Sequence, residues 1–462
     1  MKVKDLISPI RRIQSDRKAV AIQATFDPHQ SDVVRLHMVP LRAGPFNRMP
    51  SMVFINGWHL IMVGPAWSDL LRAFIEVLKD VAQPGKLISY EELEKIIDQA
   101  CERMQVLYPQ VPRIDLVQDL KHVLDVCQGL AHDEAPIEDI SSGWDYKKLA
   151  RHMHAPHRMD LLVSPMIEKG EWMCPLHCKG CYAAKQSGMI IKKELSTEDW
   201  KTIIDKCRTA DIPQLTFTGG EPTQRKDLVE LIWHAKWHIT RLNTNGLNLT
   251  PEYCQALFDA ELDGVQVTLY SDNHSIHDNL VGKLGAWVQT IQGIQNALKA
   301  GLSVSVNTPL MRLNSNFDET LRLISSLRVK YATCSGLIPA GAAPQRIKSG
   351  EALTNAELFK VMQSAVETAH SLALDLTFTS PGWLSSAQLQ ELGLTEPICG
   401  ACLSNMAIMP NGAVTACQSW LQDKEGLGNM LTTEWKEIWD NPQCKRMRRA
   451  SPEGCPLQEL QS

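Results

Sequence analysis

The strongest constraint on the fold of this chain is a regular alternation of strand-like and helix-like segments that begins near residue 159. Short apolar runs are separated by longer amphipathic stretches, which is typical of a parallel sheet with helices packed on its outer face. The pattern predicts an α/β fold, a full or partial (β/α)6 barrel that carries its chemistry at the carboxyl ends of the strands. The predicted strands are Met159–Val163, Gln214–Thr218, Ile239–Asn243, Gly264–Tyr270, Ser303–Asn307 and Thr333–Ile338. The predicted helices are Thr197–Cys207, Lys226–Ala235, Glu252–Asp259, Ala286–Lys299, Asn316–Ser326 and Asn355–His370.

The chain has 462 residues, enough for about three domains, and the pattern changes on both sides of the barrel segment. We expect residues 1–150 to form a winged-helix-like α+β domain with a linker. Residues 151–350 are the predicted barrel core, and residues 351–462 a bridging helix with a cysteine-rich extension. In the first domain, Asn56-Gly57 predicts a tight turn between two strands. Three amphipathic helices are predicted to follow, at Trp67–Val81, Tyr90–Met104 and Asp115–Val126.

The charge balance argues against one class of partner. Lys and Arg number 47 and Asp and Glu 52, and the net charge of −5 does not favour a nucleic-acid binder that relies on overall positive charge. No apolar run reaches the roughly 18 residues of a membrane span, and the first residues lack the apolar core of a secretory signal. We therefore expect a cytoplasmic protein without a nucleic-acid or membrane partner.

Eight of the thirteen cysteines are clustered, and three of these, Cys174, Cys178 and Cys181, fall in a CxxxCxxC pattern. The spacing places three thiolates on one loop after the first predicted strand. Three cysteines are one too few for a four-iron cluster with four cysteine ligands, which leaves one iron open to a non-protein ligand. A zinc site completed by His177 or by a distant residue is the alternative. The scattered cysteines are expected to be small buried side chains, namely Cys101, Cys127, Cys207, Cys254 and Cys334.

A second motif, TFTGGEPT, spans Thr216–Thr223 at the end of the next predicted strand. Its paired glycines, Gly219 and Gly220, permit close approach of the backbone to a ligand, and the carboxylate of Glu221 is suited to an ammonium group. An ordinary strand-to-helix turn is the alternative for this segment taken alone. Its position one strand after the cysteine loop favours a ligand site that the two loops share.

Together, the CPLHCKGCY and GGEP motifs resemble those of the radical S-adenosylmethionine (SAM) enzymes, over roughly residues 159–345. The resemblance implies that Cys174, Cys178 and Cys181 bind a [4Fe–4S] cluster, whose open iron is chelated by SAM. It also implies reductive cleavage of SAM to a 5′-deoxyadenosyl radical that removes a hydrogen atom from the substrate. The residues implied to bind SAM are Gly219, Gly220, Glu221, Pro222, Asn243, Asn245, Ser271 and Asn307, with Tyr182 packing near the adenine.

The C-terminal cysteines form a third constellation, in which Cys399 and Cys402 are followed by Gly412 and Cys417. A hairpin turning at Asn411-Gly412 would return Cys417 to the other two, which suits a metal centre, and a zinc ribbon is one alternative. The C-x9-G-x4-C spacing resembles the SPASM extension of radical SAM peptide maturases. Its second cysteine array is missing, so the resemblance implies one auxiliary [4Fe–4S] cluster, as in the shortened twitch form. Cys455 is expected to be the fourth ligand, and Cys444 is left as the alternative.

The N-terminal domain is loosely similar to the PqqD-like domains that recognise precursor peptides. With the other resemblances, this implies an enzyme that crosslinks or otherwise modifies a ribosomally made precursor peptide with a leader. Its reductant is expected to be a flavodoxin or ferredoxin. A radical SAM enzyme acting on a small molecule, such as a tetrapyrrole or an aminoglycoside, is one alternative. A non-enzymatic iron–sulfur or peptide-binding protein is the other.

Overall fold

The computed structural model describes residues 19–25, 33–41, 49–56, 59–81, 87–131, 152–379, 384–395, 397, 399–421, 426–451 and 455. These residues form two compact units. The first unit contains the described residues up to His154 together with Trp237–Ile239, and the second contains the remainder. Much of the predicted linker, and Gly57 of the predicted turn, lie outside the described residues.

The first unit is an antiparallel sheet followed by three helices. Its strands pair in chain order, β1 to β4, so that β1 and β4 are the two edges. The predicted hairpin is confirmed as β3 and β4, in which Ile55 pairs with His59. The sequence prediction of two strands was incomplete, because β1 and β2 precede this hairpin. The elements are β1 (Val20–Thr25), β2 (Val33–Pro40), β3 (Ser51–Ile55), β4 (His59–Val63), α1 (Pro65–Val81), α2 (Tyr90–Leu107) and α3 (Arg113–Ala131).

The core of this unit lies between one face of the sheet and the three helices. Met38, Val53 and Phe74 are among its fully buried side chains. The start of α2 is fixed by a capping box, in which the Ser89 hydroxyl accepts from the Glu92 amide and the Glu92 carboxylate accepts from the Ser89 amide. Burial of the apolar face and the cap together account for a helix at this position.

The second unit is built on a nine-stranded sheet. Seven of its strands are parallel and alternate with helices, as predicted for a partial barrel. A short three-stranded sheet (β6 to β8) follows the first barrel strand. The elements before the fifth barrel strand are β5 (Arg158–Ser164), β6 (Ile167–Glu168), β7 (Glu171–Trp172), β8 (Ile190–Ile191), α4 (Thr197–Thr209), β9 (Gln214–Gly219), α5 (Leu228–His234), β10 (Ile239–Thr244), α6 (Pro251–Asp259), β11 (Gly264–Thr268), α7 (His274–Val281) and α8 (Ala286–Lys299).

All six predicted barrel strands and their helices are present, and no end moves by more than three residues. The elements that were not predicted include the helix α7 and a seventh parallel strand, β14. The remaining elements are β12 (Val304–Pro309), α9 (Phe317–Ser326), β13 (Tyr331–Ser335), α10 (Ala343–Lys348), α11 (Asn355–Ser371), β14 (Asp375–Phe378), α12 (Ser386–Glu391), β15 (Asn405–Ile408), β16 (Val414–Thr415), α13 (Trp435–Asp440) and α14 (Pro442–Ala450).

The C-terminal segment continues the barrel sheet. The predicted hairpin is formed by β15 and β16, and β15 pairs in parallel with β5, the first barrel strand. Ala407 stands opposite Asp160, so the cysteines that flank the hairpin are carried to the edge of the barrel. The predicted cysteine-rich extension is thus joined to the barrel by this hydrogen-bonded pairing, which makes the hairpin part of the same sheet.

No helix in the described part of the chain is both long enough and apolar enough to cross a bilayer.

Candidate cluster and cofactor site

The CxxxCxxC loop is irregular and is held by backbone hydrogen bonds to the end of α7. The amide of His177 donates to the Val281 carbonyl at 2.9 Å, and the amide of Lys179 donates to the Leu280 carbonyl at 2.8 Å. The ring of His177 stacks on Trp172, with 4.9 Å between centroids. These contacts fix the position of the loop without using its thiols.

The three thiols of this loop lie near one another. The charges of Cys174 and Cys181 both raise the pKa of Cys178, because the three sulfurs lie close together. Burial raises the pKa of all three thiols, that of Cys174 to about 12. Glu221, on the GGEP loop, adds its charge to the environment of Cys174. A metal cluster that binds here must displace the thiol protons, since thiolates are the ligands.

Gly341, after the last predicted strand, packs directly on the cysteine loop. Its φ is +65°, and a Cβ added there would lie 2.2 Å from the Tyr182 carbonyl oxygen and 2.4 Å from that of Cys181. The next amide, that of Ala342, donates to the Cys181 carbonyl at 2.9 Å. Only glycine permits this approach, which locks the last cysteine of the motif against the far side of the barrel.

The GGEP loop leaves the end of β9 and turns against β5. A Cβ on Gly219 would lie 2.4 Å from the Ser164 carbonyl oxygen, and the Gly220 amide donates to the same oxygen at 2.9 Å. Pro222 then begins a single 3-10 turn, Pro222–Gln224. The paired glycines therefore serve the close contact between two neighbouring strand ends.

The carboxylate of Glu221 is buried, and it accepts four hydrogen bonds from the chain itself. One oxygen accepts from the Thr223 amide (3.0 Å), the Thr223 hydroxyl (2.6 Å) and the Thr244 hydroxyl (2.7 Å). The other accepts from the Asn245 amide at 2.8 Å. Burial raises the pKa of this carboxyl, and the four donors oppose the shift. Glu221 thus joins the ends of β9 and β10, a structural role that its motif did not indicate.

Two buried donors at the same strand ends have no hydrogen-bond partner among the described residues. They are the side-chain Nδ2 of Asn245 and the hydroxyl of Ser164. Asn245 lies beside the Glu221 carboxylate, and its own Oδ1 accepts from the Leu247 amide at 2.9 Å. Unpaired polar groups are costly when buried, which marks this place as one that fits a polar ligand. The donor set therefore fits SAM next to the three thiols.

The remaining predicted SAM residues lie on successive strands of the barrel. Asn243 on β10 and Asn307 on β12 are half-buried, and Asn307 accepts from the Thr333 hydroxyl at 2.9 Å. Ser271 is buried in the turn before α7, where its hydroxyl accepts from the Asn273 amide at 3.1 Å. Asp278, within α7, accepts from the amides of Gly285 and Trp287 and so holds the connection from α7 to the start of α8. The hydroxyl of Ser271 is thus already engaged in a turn.

Tyr182 connects the first cysteine motif with the C-terminal segment. Its hydroxyl bonds to Thr218 and lies 3.5 Å from Oε1 of Gln418, the residue after Cys417. Burial raises the pKa of this phenol, and the charges of Cys181 and Cys417 act in the same direction. Tyr182 therefore lies between the two sets of cysteines, a position that the sequence did not predict.

The C-terminal cysteines converge, and five rather than four thiols meet. Cys399 bonds to Cys455, and Cys402 bonds to Cys444. Cys417 lies close enough to both pairs for its charge to raise the pKa of Cys399 and of Cys402. No three Cys, His, Asp or Glu side chains of the described chain are grouped as a single metal ion requires. The structure thus brings both Cys444 and Cys455 to the predicted ligands.

Arg448 is a further residue at this centre that sequence reasoning missed. It lies one helical turn after Cys444 on α14, and its Nη2 donates to the Cys444 sulfur at 3.2 Å. Its Nε donates to the Cys402 carbonyl at 2.8 Å. The i, i+4 spacing of Cys444 and Arg448 was the available signal, since such residues share a helix face.

The five cysteines outside these two sets are all buried, as predicted. Cys334 contacts Met362 of α11, with 3.6 Å between the sulfur atoms. They pack as apolar side chains, and they take no part in either thiol set.

Comparison with known protein families agrees with this geometry. Residues 173–324 match the model of the radical SAM superfamily, and residues 399–457 match that of the SPASM iron–sulfur cluster-binding domain. The first match contains the cysteine loop and the GGEP loop, and the second contains all five C-terminal thiols.

Individual relatives have different activities. The chain is 27% identical to an AdoMet-dependent heme synthase of Oleidesulfovibrio alaskensis, over 61% of this chain and 75% of the relative. It is 26% identical to the mycofactocin maturase MftC of Mycolicibacterium smegmatis, over 60% of this chain and 70% of MftC. An Fe-coproporphyrin III synthase of Methanosarcina barkeri is 31% identical, but the match covers 39% of this chain and 44% of that protein.

Among solved structures, Streptococcus suis SuiB bound to its precursor peptide SuiA aligns with a TM-score of 0.62 and 12% identity, over 96% of this chain and 97% of SuiB. SuiB bound to S-adenosylmethionine aligns with a TM-score of 0.58 and 14% identity, over 94% of this chain and 96% of SuiB. The likeness establishes a shared fold over nearly the whole chain. The family matches, rather than the shared fold, identify a radical SAM domain and a C-terminal SPASM domain in this enzyme, whose cofactors are S-adenosylmethionine, a [4Fe–4S] cluster that binds it, and an auxiliary iron–sulfur cluster.

Proposed function

We propose that this enzyme modifies a ribosomally made precursor peptide, by a crosslink or a related change at an unactivated carbon. When bound and reduced, the first cluster supplies the electron that cleaves SAM to methionine and the 5′-deoxyadenosyl radical, which abstracts a hydrogen atom from the substrate. The chain itself binds and orients the two reactants and keeps water away from them. A flavodoxin or ferredoxin is the proposed reductant.

In this proposal Cys174, Cys178 and Cys181 hold the SAM-binding cluster, and SAM lies over the ends of β9 and β10. Asn245 contributes its unpaired Nδ2, and Gly219 and Gly220 contribute backbone groups. The other proposed contacts are those of Glu221, Pro222, Asn243, Ser271, Asn307 and Tyr182. The proposed ligands of the auxiliary cluster are Cys399, Cys402, Cys417 and Cys455.

One observation carries the choice of a peptide: the inner wall of the barrel is polar and neutral across three neighbouring strands. Gln266 on β11 donates to the Thr333 hydroxyl on β13 at 3.4 Å, and that hydroxyl donates to Asn307 on β12. These side chains are half-buried, whereas the alternate residues Val267 and Val306 are fully buried on the helix side. Amide and hydroxyl groups suit the donors and acceptors of a peptide backbone.

The first unit supplies a second support for a peptide. Its sheet ends at β4, an edge that can accept an added strand from an extended leader. Leu60 on this edge is 41% exposed, although it lies within a sheet whose other described apolar residues are mostly buried. We therefore place the leader along β4, with an apolar leader side chain against Leu60.

Leader binding is tested by Leu60→Glu, which adds a charge to the edge. We expect the affinity for a synthetic leader to fall at least about tenfold, the loss that corresponds to roughly 1.4 kcal/mol. Val106→Glu is the matched control, since Val106 is 81% exposed on α2. Equal affinities of the two variants would remove β4 from the proposal.

The function itself is tested by co-expression with a candidate precursor peptide, followed by mass spectrometry of that peptide. We expect a mass change that depends on the enzyme and disappears in the Cys174/Cys178/Cys181→Ala variant. An unchanged peptide, under conditions where the enzyme cleaves SAM, would refute the proposal.

A second candidate substrate is a tetrapyrrole, which two of the relatives named above favour. Its carboxylates would need cations on the barrel wall. Arg158 on β5 and Arg241 on β10 are candidates; the Nε of Arg158 lies 2.9 Å from the Asp160 carboxylate, which neutralises it. Anaerobic incubation with iron coproporphyrin, SAM and reductant tests the heme-synthase form of this candidate, since only an enzyme that converts iron coproporphyrin to heme would consume it.

A further inference from the structure

The fifth C-terminal thiol, Cys444, has a defined environment that the proposed ligand set does not use. It is fully buried, although it lies on the basic helix α14 among exposed Lys and Arg side chains. On one side it bonds to Cys402, a proposed cluster ligand, and on the other it accepts from Arg448 Nη2 at 3.2 Å.

The guanidinium of Arg448 is held rigidly at this thiol by three further contacts. Its Nε donates to the Cys402 carbonyl at 2.8 Å, and its Nη2 donates to the Trp439 carbonyl at 2.9 Å. Its central carbon lies 3.4 Å from the centre of the Trp439 ring, a cation–π contact. A half-buried arginine with this many partners has one orientation, which directs its charge at the sulfur of Cys444.

We propose that Arg448, paired with Cys444 and bonded to the backbone of Cys402, raises the reduction potential of the auxiliary cluster. The inference rests on the ligand set proposed above, in which Cys402 is a thiolate bound to iron. Arg448 donates both to the Cys444 sulfur and to the Cys402 carbonyl, so that its positive charge is held beside a proposed ligand of the cluster. Arg448 is thus a positioning residue, because it acts on the cluster through another residue.

The direction of the effect follows from charge. Reduction adds one negative charge to the cluster, and hydrogen bonds to its sulfurs together with a nearby cation stabilise that charge. Removal of the guanidinium therefore makes reduction harder. We expect about a tenfold change in the one-electron equilibrium, which corresponds to about 59 mV.

The test is an EPR-monitored redox titration of the holoenzyme without substrate, in which the SAM-binding cluster serves as internal standard. Arg448→Gln is expected to lower the potential of the auxiliary cluster by about 59 mV. Arg448→Lys, which retains the charge but not the planar fork, is expected to lower it less. Arg449→Gln is the matched control, because Arg449 is exposed on the same helix and carries the same charge.

A double-mutant cycle tests the pair as a unit. Cys444→Ala is expected to reproduce the shift of Arg448→Gln, and the double variant is expected to show no larger shift, since each breaks the same pair. Additive shifts, or a shift in Arg448→Gln no larger than in Arg449→Gln, would overturn the proposal. Loss of the auxiliary iron in Cys444→Ala would also overturn it, by making Cys444 a ligand. Iron loss in Arg448→Gln with an unchanged potential in Arg448→Lys would reduce Arg448 to a structural role.

These outcomes are independent of the substrate. Peptide modification can fail while the potential shifts as expected, and the reverse can also occur, so the two proposals are refuted separately.

Discussion

Replacement of Glu221 by alanine is expected to loosen the strand ends that form the SAM site, before any effect on SAM itself. The carboxylate is the acceptor for two backbone amides, those of Thr223 and Asn245. In Glu221→Ala both amides lose their partner in a buried place, at a cost of about 1–3 kcal/mol each. Because 1.4 kcal/mol corresponds to a factor of ten, local opening at each of the two amides should become about five- to 150-fold more frequent.

Hydrogen exchange of the anaerobic apo protein measures this opening at the two amides directly. We expect faster exchange of the segments that contain Thr223 and Asn245 in Glu221→Ala, and no change in Glu252→Ala, which removes an exposed carboxylate from the first turn of α6. The affinity for SAM should fall as well, because the loop that carries it is displaced. Unchanged exchange together with weaker SAM binding would refute the structural role and make Glu221 a ligand group only.

Three further predictions follow from the packing of the two thiol sets. Gly341→Ala should lose the iron of the first cluster, because its new Cβ would clash with the carbonyl oxygens of Cys181 and Tyr182. The control Gly350→Ala should keep all of its iron, because Gly350 has a similar positive φ but no atom within 4 Å of the added Cβ. In iron analysis, the wild-type protein should hold about eight irons per chain. The Cys174/Cys178/Cys181→Ala and Cys399/Cys402/Cys417→Ala variants should each hold about four. Only the second variant should still cleave SAM, and cleavage by the first would contradict the assignment. Cys127, buried with a pKa raised to about 12, should resist alkylation at neutral pH until the protein unfolds, and rapid labelling of the native enzyme would count against its burial.

The barrel could be predicted from sequence because its period is strong. Apolar strands and amphipathic helices alternate through residues 159–370, and each strand end carries its motif at the expected place. The missed elements are those with weak local patterns. Strand β14 has only four residues, two of them exposed, and helix α7 has only eight.

The chemistry within the site was less predictable, because it depends on residues far apart in the chain. Glu221 belongs to a motif that suggests a ligand group, yet two of its partners, Thr244 and Asn245, lie on the next strand. The pairing of Cys402 with Cys444 joins residues 42 positions apart through a helix whose sequence reads as a solvated basic face. Such contacts are set by tertiary packing, which local spacing does not encode.

The measurement that tests the central claim most directly follows a hydrogen atom from peptide to cofactor. Precursor peptide labelled with deuterium at its candidate carbons is incubated anaerobically with the reduced enzyme and SAM, and the 5′-deoxyadenosine formed is analysed by mass spectrometry. Our account predicts deuterium in the 5′-deoxyadenosine together with modified peptide. Unlabelled 5′-deoxyadenosine from every labelled peptide, with the peptide unchanged, would contradict it.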